Sequence, residues 1–486
     1  MKKSHLKSRI AFLCLCGLLG SGVSASAAPA DAISPAGVVE GFYGTPWSQQ
    51  DRLSMLEFMG AHHLNMYVYA PKDDPYHREK WREAYPPKEM QRLQQLIRTA
   101  HDNNVEFVFA ISPGLDMKFT GSEGQADLRA LIQKFDTLYA AGVRQFAVLF
   151  DDIQNKDALR QVKVLNEVNR AFIHKHADVK PLFTVPTEYF SEDMIEKGKV
   201  KPYTAAMAKN LDTDIQVLYT GSGVVAEAVT LEDIQKIEQV YQRKMSIWCN
   251  YPVTDYMRTK LALGPMVGMA PGVASHTAAF LMNPMEHAEL SRIALATGAD
   301  YAADPSAYDP EASWRKALTE EYGPLADDMR AFAEHSQHME NDWAKAGRPD
   351  APVMRQHMNE LWQALRSGQE SSASQLVLKR DFSDLTAALQ RIEQNLPPKQ
   401  LDQIHPQLQL LQQLTAADQT ALLLVQAQTT GMPHAADVLG RRLAHEKSAL
   451  LPEKTAIISE KTAAAFLQET LDWQQAQKSP QKKAAR

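Results

Sequence analysis

Ala147-Val-Leu-Phe-Asp-Asp-Ile153 is the most informative stretch of this sequence of 486 residues. Its first four residues are apolar and mostly favour β-structure, and two adjacent acids, Asp151 and Asp152, follow them directly. A long amphipathic segment comes next. This pattern is typical of a buried parallel strand that delivers acids to the mouth of an α/β barrel. Neighbouring carboxylates repel each other unless one holds a proton, so the pair suits acid–base catalysis.

Similar strand-like runs recur from about residue 37 to residue 300 and alternate with helical segments. We predict eight strands, at residues 37–43, 65–70, 106–111, 145–150, 181–185, 214–219, 245–249 and 273–282. Helices are predicted between some of them, from Ser48 to Met59 and at residues 88–101 and 157–176. Eight such units in roughly 260 residues match a TIM (β/α)8 barrel. An open doubly wound α/β sheet is the alternative, although no Gly-x-Gly-x-x-Gly follows the first strand.

Polar clusters follow the predicted strands at the point where each strand ends. They lie at residues 40–44, 70–74, 112–114, 151–152, 186–189, 220–223, 250–255 and 283–284. In a barrel of parallel strands these clusters all meet at the C-terminal face, where the active site lies. We therefore expect one catalytic site that several of these clusters form together.

The second part of the chain has a different character. From about residue 305, strand-like runs end and Gln, Ala, Leu and Glu become frequent. Helices are predicted at residues 325–343, 352–367, 374–394, 416–428 and 461–477, with breaks at 347–349, 397–398, 431–433 and Pro452. This pattern indicates an all-α helical bundle domain. The expected division is a signal peptide (1–28), a short linker (29–36), the barrel catalytic domain (37–305), the helical domain (306–478) and a basic disordered tail (479–486).

The N-terminus has the pattern of a secretory signal peptide. Lys and Arg precede an apolar core at residues 10–19, and small residues surround Ala27, so we expect cleavage after Ala27 or Ala28. The apolar core is too short to span a membrane. We therefore expect a secreted or periplasmic protein with no membrane span.

Charge and cysteine content exclude several classes of partner and site. The formal net charge is −6, and removing the four cationic residues of the first 28 gives −6 − 4 = −10, which argues against nucleic acid as a partner. Cys249 is the one cysteine left after cleavage, so no intrachain disulfide can form. The remaining chain has no Cys-x-x-Cys or His-Glu-x-x-His zinc pattern, and we expect neither a metal nor another cofactor.

Two acids after a strand do not by themselves identify a catalytic site. An aspartate there often caps the next helix, and a metal site would need further oxygen or histidine ligands. Six blocks together are more specific: Gly37-Val-Val-Glu-Gly-Phe-Tyr-Gly-Thr-Pro-Trp47, Tyr69-Ala-Pro-Lys-Asp-Asp74, Leu149-Phe-Asp-Asp-Ile153, Pro186-Thr-Glu-Tyr189, Trp248-Cys-Asn250 with Asp255, and Asn283-Pro284. In this order they resemble glycoside hydrolase family 84, the β-N-acetylglucosaminidase family that includes the O-GlcNAcases and bacterial enzymes labelled hyaluronidases. The resemblance covers roughly residues 36–320.

The resemblance implies a retaining mechanism in which the substrate supplies the nucleophile, an exception to the scheme with two catalytic carboxylates. The 2-acetamido oxygen of the sugar would attack the anomeric carbon and form an oxazoline. Asp151 would stay ionised and accept the acetamide N–H. Asp152 would protonate the leaving oxygen and then activate water. Proximity would drive the two pKa values apart, as these different roles require.

Eight further residues match substrate-binding positions of the family: Gly41, Tyr43, Lys72, Tyr189, Trp248, Asn250, Asp255 and Asn283. The resemblance implies that Tyr189 faces the acetamido group, that Trp248 holds its methyl and that Asn250 lies nearby. It also implies contacts to ring hydroxyls from Gly41, Lys72, Asp255 and Asn283, with Tyr43 lining the pocket. Without the family, these residues would be interpreted as a turn glycine, a surface cation, packed aromatics and polar residues of turns.

Three features depart from the family pattern. Tyr219 stands where we expect a tryptophan, which puts the shape of the acetamide or leaving-group side in doubt. Many bacterial relatives carry a small α/β domain before the barrel, and we expect it to be missing here, because few residues separate the expected cleavage site from the first strand. The helical domain resembles the family only in general character, and by analogy with some relatives we expect it to form a homodimer.

The expected activity is that of an exo-β-N-acetylglucosaminidase acting on a glycan or glycoconjugate that contains N-acetylglucosamine. An endo-acting, hyaluronidase-like hexosaminidase is the alternative, because exo or endo action depends on the loops around the site. A catalytically inactive N-acetylhexosamine-binding protein is a third hypothesis. It would predict loss of Asp151 or Asp152, and the sequence retains both.

Overall fold

The computed structural model describes residues 32–154 and 156–478 of the chain. The predicted signal peptide, the predicted tail at residues 479–486 and residues 29–31 of the predicted linker lie outside these ranges. Within them, every helix is too short or too polar to cross a bilayer.

Eight parallel strands close into a barrel in the order in which they occur along the chain. They are β1 (Ala36–Glu40), β2 (Met66–Tyr69), β3 (Glu106–Ile111), β4 (Gln145–Leu149), β5 (Phe183–Val185), β6 (Gln216–Tyr219), β7 (Met245–Cys249) and β8 (Thr277–Met282). Strand β8 pairs with β1, with Phe280 opposite Ala36, and this pairing closes the barrel. The predicted TIM barrel is therefore confirmed, and each predicted strand overlaps one observed strand.

Six of the eight strands are shorter than predicted, and β1 and β8 show the local reasons most clearly. Strand β1 ends at Glu40, because the chain turns over the next four residues, where Gly44 has a φ of +114°. Strand β8 begins at Thr277 rather than at Val273. The four residues before it form a 3-10 turn that follows Gly272, whose φ is +84°. Apolar composition alone does not distinguish such a turn from the strand that it precedes.

The strands are buried on both faces, which explains why their sequences are almost continuously apolar. One set of side chains fills the interior of the barrel, and the alternate set packs against the surrounding helices. The interior set consists of Val39, Met66, Val68, Ala70, Val108, Ala110, Ala147, Leu149, Phe183, Val185, Leu218, Trp248, Ala279 and Leu281. This packed interior leaves space for a site only at the end of the barrel.

Helices follow the strands around the barrel. They are α1 (Gln49–Ala61), α2 (Pro87–Asp102), α3 (Gly121–Ala140), α4 (Ala158–Ala171), α5 (Ser191–Met194), α6 (Pro202–Asn210), α7 (Leu231–Tyr241) and α8 (Ala288–Ala303), with 3-10 turns at Ile173–Lys175, Val273–His276 and Gly323–Leu325 and a small hairpin of Ile195–Glu196 with Lys199–Val200. The side chains of Ser48 and Asp157 cap α1 and α4 by accepting backbone N–H groups. Such caps satisfy amides that would otherwise lack a partner at the start of a helix.

The region after the barrel is mostly helical. It contains α9 (Pro310–Tyr322), α10 (Ala326–Ala333), α11 (Pro352–Ser367), α12 (Ser372–Asn395), α13 (Pro398–Thr429), α14 (Pro433–Ser448) and α15 (Ala463–Lys478). Helix α13 packs against α12, α14 and α15 and forms the centre of this region. All predicted breaks coincide with helix ends or with loops, as expected for Pro and Gly.

The predicted helix at residues 325–343 is wrong in its second half. Helix α10 ends at Ala333, and Met339–Glu340 pairs with Lys345–Ala346 in an antiparallel hairpin. The carboxylate of Asp350 accepts the backbone N–H groups of Gln337 and His338 at 2.7 and 2.9 Å, so these amides are not available to continue the helix. A contact from a residue further along the chain therefore overrides the local helical pattern. We call residues 339–346 the Trp343 hairpin.

Three further helices of this region differ from the prediction, and one of them, α9, was not predicted. Helix α13 is longer than the predicted 416–428, because it continues through Pro406, at the cost of one backbone hydrogen bond. Helix α14 was not predicted either, and Gly440 in its middle lowers its helical propensity. A Cβ atom at Gly440 would come within 2.1 Å of the Gln474 side chain, so the glycine lets α14 lie close to α15.

Asp418 in α13 leads to a prediction about stability. It is fully buried, and neither of its carboxylate oxygens has a hydrogen-bond partner among the described residues. Burial raises the pKa of this carboxyl well above its usual range. Its contribution to stability is therefore greatest below the unfolded-state pKa and falls as pH rises towards the folded-state pKa. We expect Asp418→Ala to raise the free energy of unfolding by about 1–3 kcal/mol at pH 7.

Urea unfolding between pH 4 and pH 8 measures this effect, and the gain should grow with pH. Asp402→Ala is the matched control, because Asp402 is exposed on the same helix. It should change stability little at any of these pH values. A loss of stability in Asp418→Ala at pH 8 would contradict the prediction, since it would mean that the ionised carboxylate has a stabilising partner.

Candidate active site

A cavity of about 500 Å³ lies where several of the loops that follow the barrel strands meet. This volume is in the range of small-molecule sites. All ten residues predicted for the site line it, namely Gly41, Tyr43, Lys72, Asp151, Asp152, Tyr189, Trp248, Asn250, Asp255 and Asn283. The structure therefore brings together residues from the loops after β1, β2, β4, β5, β7 and β8. The remaining lining residues are Val185, Thr220, Val224, Val225, Val253, Tyr256 and Trp343.

Asp151 and Asp152 both face this cavity although they are consecutive. In a regular strand their side chains would point to opposite sides of the sheet. Asp152 has a φ of +52°, in the left-handed region, and this turn brings both carboxylates to the same cavity. Aspartate tolerates this conformation better than most residues, because its short polar side chain can bond locally.

Asp151 forms an ion pair with Lys72. One carboxylate oxygen of Asp151 contacts the Lys72 ammonium, and the Lys72 side chain is almost entirely buried. The other oxygen, Oδ1, is buried and has no hydrogen-bond partner among the described residues. Because a buried acceptor without a partner is costly, this atom is a candidate to accept a hydrogen bond from a bound ligand.

Two tyrosine hydroxyls donate to Asp152. The Tyr43 hydroxyl lies 2.8 Å from Oδ2, and the Tyr189 hydroxyl lies 2.9 Å from Oδ1. Burial, followed by the negative charge of Asp152, raises the pKa of both tyrosines far above the usual value. Both hydroxyls are therefore protonated around neutral pH and can donate hydrogen bonds to the carboxylate.

Trp248 is held in place by a chain of polar groups. Its indole N–H donates to Asn250 Oδ1 at 2.9 Å, and the Asn283 amide donates to the same oxygen at 2.9 Å. Asn283 Oδ1 in turn accepts the backbone N–H of Gly41 at 3.2 Å. Asn250 donates to the backbone oxygen of Val224 at 2.8 Å. This network fixes the indole ring against one wall of the cavity.

Gly41 is needed for close packing rather than for a special backbone angle. A Cβ atom at this position would lie 2.3 Å from Cζ2 of Trp248, and Gly41 has no positive φ. We expect Gly41→Ala to displace the ring and to lower kcat/KM by up to about 10²-fold, because small misplacements at a site are costly. Steady-state kinetics on an aryl glycoside of the sugar that the family resemblance implies would measure the loss.

Gly223→Ala is a suitable comparison for Gly41→Ala. A Cβ at Gly223 would meet its nearest neighbour, the Val225 backbone oxygen, at an ordinary contact distance of 3.8 Å. That variant should keep most of the activity. Wild-type activity in Gly41→Ala would contradict the packing argument, since it would show that the indole can shift without consequence.

Asp255 joins two loops at the rim. Its Oδ2 accepts the backbone N–H of Tyr43 at 2.7 Å, and Arg258 donates to the Tyr43 backbone oxygen at 3.1 Å. Burial raises the pKa of the Asp255 carboxyl above its usual value. Glu286, in the loop after β8, accepts a hydrogen bond from the backbone N–H of Thr45 at 3.1 Å. The loops after β1, β7 and β8 therefore form one connected wall on this side of the cavity.

Tyr219 does not line the cavity. Its side chain is fully buried in the layer between the barrel and the surrounding helices, and its hydroxyl lacks a partner among the described residues. The residue that lines the cavity next to it is Thr220. The tyrosine found in place of the expected tryptophan therefore alters the packing outside the barrel and not the lining of the site.

Two aromatic residues of the cavity were not predicted from the sequence, Tyr256 and Trp343. Trp343 is half exposed at the tip of the Trp343 hairpin, and its ring centroid lies 5.1 Å from that of Tyr256. Tyr256 directly follows Asp255, and this adjacency could have identified it. Trp343 gave no such signal, because it lies far along the chain in a segment that we predicted as helix.

The described residues contain no group of three or more His, Cys, Asp and Glu side chains that could hold a metal ion. Cys249 is buried, and burial raises the pKa of its thiol to about 12. The side chains that line the cavity carry three carboxylates, one ammonium, two amides, four hydroxyls and two indole N–H groups. These groups can bind a polyhydroxylated ligand and exchange protons with it.

Comparisons with known proteins point to one family. The family described as beta-N-acetylglucosaminidase matches residues 36–334, and one described as hyaluronidase post-catalytic domain-like matches residues 353–467. This chain is 34% identical to Protein O-GlcNAcase from Rattus norvegicus and to the one from Mus musculus over 272 aligned residues. The aligned part covers 54% of this chain and 29% of each relative. The chain thus spans less than a third of the length of these curated relatives.

Solved structures are similar over most of the chain. The structure of CpGH84B has a TM-score of 0.86 and 39% sequence identity, with 90% of this chain and 77% of that chain covered. A mutant of the Thermobaculum terrenum O-GlcNAc hydrolase has a TM-score of 0.79 and 27% sequence identity, with 90% of this chain and 94% of that chain covered. The structure of CpGH84D has a TM-score of 0.82 and 25% sequence identity, with 92% of this chain and 76% of that chain covered.

Proposed function

Because the chain belongs to the β-N-acetylglucosaminidase family, glycoside hydrolase family 84, we propose that it is a retaining exo-β-N-acetylglucosaminidase that uses substrate-assisted catalysis. In this reaction the 2-acetamido carbonyl oxygen attacks the anomeric carbon while the bond to the leaving oxygen breaks. An oxazoline forms, and water then opens it with overall retention. The proposed substrate class is a glycan or glycoconjugate with a terminal β-linked N-acetylglucosamine.

The unpartnered Oδ1 of Asp151 is the observation that carries this proposal. The acetamide N–H becomes a stronger donor as positive charge develops on the forming oxazoline ring. A carboxylate oxygen that accepts this N–H orients the acetamide and stabilises the charge. Lys72 contacts the other oxygen of Asp151, and within residues 32–154 and 156–478 Oδ1 has no hydrogen-bond partner that would compete for this role. Trp248 supplies an apolar surface nearby for the acetamide methyl.

Asp152 is proposed as the general acid and then the general base. It would give its proton to the leaving oxygen as the glycosidic bond breaks, and it would take a proton from the water that attacks the oxazoline. Between these steps it is an anion. The hydroxyls of Tyr43 and Tyr189 can both donate to that anion and stabilise it.

The connected wall at Tyr43 and Asp255 supports exo rather than endo action. A glycan that continued past the bound sugar on this side would have to pass through the loops that these residues join. Product analysis with a defined oligosaccharide tests the point. Release of single terminal N-acetylglucosamine units is expected, and internal cleavage products would favour the endo-acting alternative.

A pair of chromogenic substrates tests the proposed chemistry. The purified protein should release 4-nitrophenol from its β-N-acetylglucosaminide and leave the β-glucoside essentially intact, because the glucoside lacks the acetamide that makes the attack. Equal cleavage of both would eliminate the substrate-assisted mechanism. Cleavage of neither substrate would favour the hypothesis of a sugar-binding protein without activity.

We propose in addition that the protein is exported. The support is the signal-peptide pattern of residues 1–28, which lie outside the described residues. Sequencing of the N-terminus after expression in a bacterial host should show a chain that begins after Ala27 or Ala28. An intact N-terminal Met in the soluble fraction would contradict export.

A homodimer through the helical region is a separate proposal. It rests on the resemblance to family members that dimerise there, and on the match of residues 353–467 to the post-catalytic domain. Light scattering coupled to size-exclusion chromatography distinguishes a monomer from a dimer directly. A monomer at all concentrations tested would rule the dimer out.

A further inference from the structure

A buried lysine lies at the junction between the barrel and the helical region. Lys260 follows the Asp255–Tyr256 loop and is 1% exposed. Its ammonium contacts both oxygens of Glu460 at 2.6 and 2.8 Å, and it lies 3.8 Å from Asp350 Oδ2. A buried ammonium is tolerated only where charged partners of this kind compensate for its loss of water.

Glu460 belongs to the segment that joins α14 to α15, and we call residues 459–462 of this segment the connector. The connector also contacts Asp350, because the Thr462 hydroxyl donates to the Asp350 backbone oxygen at 2.8 Å. The carboxylate of Asp350 holds the backbone N–H groups of residues 337 and 338. The connector, Lys260 and the chain that leads into the Trp343 hairpin therefore form one network.

A second link runs from the connector directly to the hairpin. Lys461 pairs with Glu340, which lies in the first strand of the hairpin, and His338 Nε2 lies 2.6 Å from the same carboxylate. At the tip, Asn341 Oδ1 accepts the backbone N–H groups of Trp343 and Ala344 at 3.0 and 2.7 Å. Because the turn is held in this way, a constraint at the base of the hairpin also fixes the position of its tip.

Both aromatic rings at the cavity mouth depend on this network. Trp343 is carried by the hairpin, and Tyr256 precedes Lys260 by four residues in the same loop. The two rings pack together with a centroid distance of 5.1 Å. Trp343 lines the cavity and is half exposed, so under the proposed function it would lie next to the group attached to the bound sugar.

We propose that the connector is a positioning element for substrate recognition, with Glu460 acting through Lys260 and Lys461 acting through Glu340. It sets the positions of Trp343 and Tyr256, and through them it controls affinity for the group attached to the sugar. This inference rests on the proposed function. It assigns the helical region a direct part in the selection of substrates, although its own residues in the connector do not line the cavity.

Glu460→Gln tests the proposal kinetically, because it keeps the shape of the side chain and removes its charge. For an N-acetylglucosaminide with a large leaving group, KM should rise by about tenfold with little change in kcat, as expected when binding alone is weakened. Asp328→Asn is the control, since it weakens a comparable ion pair with Arg391 between α10 and α12. The control should leave both constants unchanged.

A double-mutant cycle separates positioning from a general loss of stability. If Glu460 acts through the two rings, Glu460→Gln should have no further effect on KM in a background that carries both Trp343→Ala and Tyr256→Ala. Additive effects would overturn the proposal. If Glu460→Gln folds poorly, the same cycle can be measured with Lys461→Ala, which removes the ion pair with Glu340. The Lys461 side chain is 68% exposed, so its removal should not disturb folding.

Amide hydrogen exchange tests the proposal without any substrate. Residues 339–346 should exchange several-fold faster in Glu460→Gln than in the wild type, and at the wild-type rate in Asp328→Asn. Unchanged exchange in Glu460→Gln would refute the link between connector and hairpin. If exchange rises while every enzyme form is inactive on all substrates, then the proposed function has failed and the inference about recognition fails with it.

Discussion

Asp152→Asn should lower kcat/KM for substrates with poor leaving groups by about 10²- to 10⁴-fold, the usual contribution of general acid catalysis. An alkyl glycoside or a disaccharide needs a proton on its leaving oxygen, and asparagine cannot supply one. A 4-nitrophenyl or dinitrophenyl glycoside leaves readily without a proton, so its bond cleavage should be affected far less. A plot of log kcat/KM against leaving-group pKa should therefore become much steeper in the variant.

The proposed role of Asp152 as a general base leads to a second expectation. With activated substrates the variant should accumulate the oxazoline, because no group removes the proton from the attacking water. A small anionic nucleophile such as azide needs no base and should restore turnover. Asp157→Asn is the matched control, because it makes the same chemical change at the cap of α4, outside the cavity. An equal loss for all leaving groups in Asp152→Asn would refute the assignment of the acid.

Asp151→Asn should lower kcat/KM by about 10²- to 10³-fold for good and poor leaving groups alike, the typical effect of removing one stabilising group from a transition state. In the proposed mechanism the acetamide oxygen attacks while the bond to the leaving group breaks, so the reaction of every substrate depends on this attack. Loss of the charge removes stabilisation of the developing oxazolinium ion. It also leaves the almost entirely buried ammonium of Lys72 without its anionic partner.

Inhibitor binding distinguishes this role from mere structural damage. A thiazoline analogue resembles the oxazoline, so its affinity should fall in parallel with kcat/KM when Asp151 is replaced. N-acetylglucosamine carries no developing charge, and its affinity should change much less. Retained affinity for the thiazoline in Asp151→Asn would contradict the proposed orientation of the acetamide by Asp151.

The barrel could be predicted because each of its strands has a sequence pattern that can be recognised within a few residues. Each strand is an apolar run with polar residues at its end, and burial on both faces of a parallel sheet requires that composition. The ten predicted site residues line one cavity for the same reason, since every one of them lies at or just after the end of a strand. The family assigned from six sequence blocks is confirmed by the matches to known families and structures.

The parts that the sequence did not predict depend on distant contacts or on backbone angles. The Trp343 hairpin forms where a helix was expected, because Asp350 binds the amides of Gln337 and His338. The left-handed φ of Asp152 cannot be inferred from composition, although it determines that both carboxylates face the cavity. The packing of Gly41 on Trp248 joins residues more than 200 positions apart.

The exposure of Trp343 has a practical consequence for measuring ligand binding. The sequence has seven tryptophans, all within the described part of the chain, and Trp343 is the one among them that is exposed. A collisional quencher such as acrylamide or iodide should therefore act mainly on its emission. A ligand that covers the indole would reduce this quenching, so the natural fluorescence of the protein can report occupancy of the cavity mouth without any label.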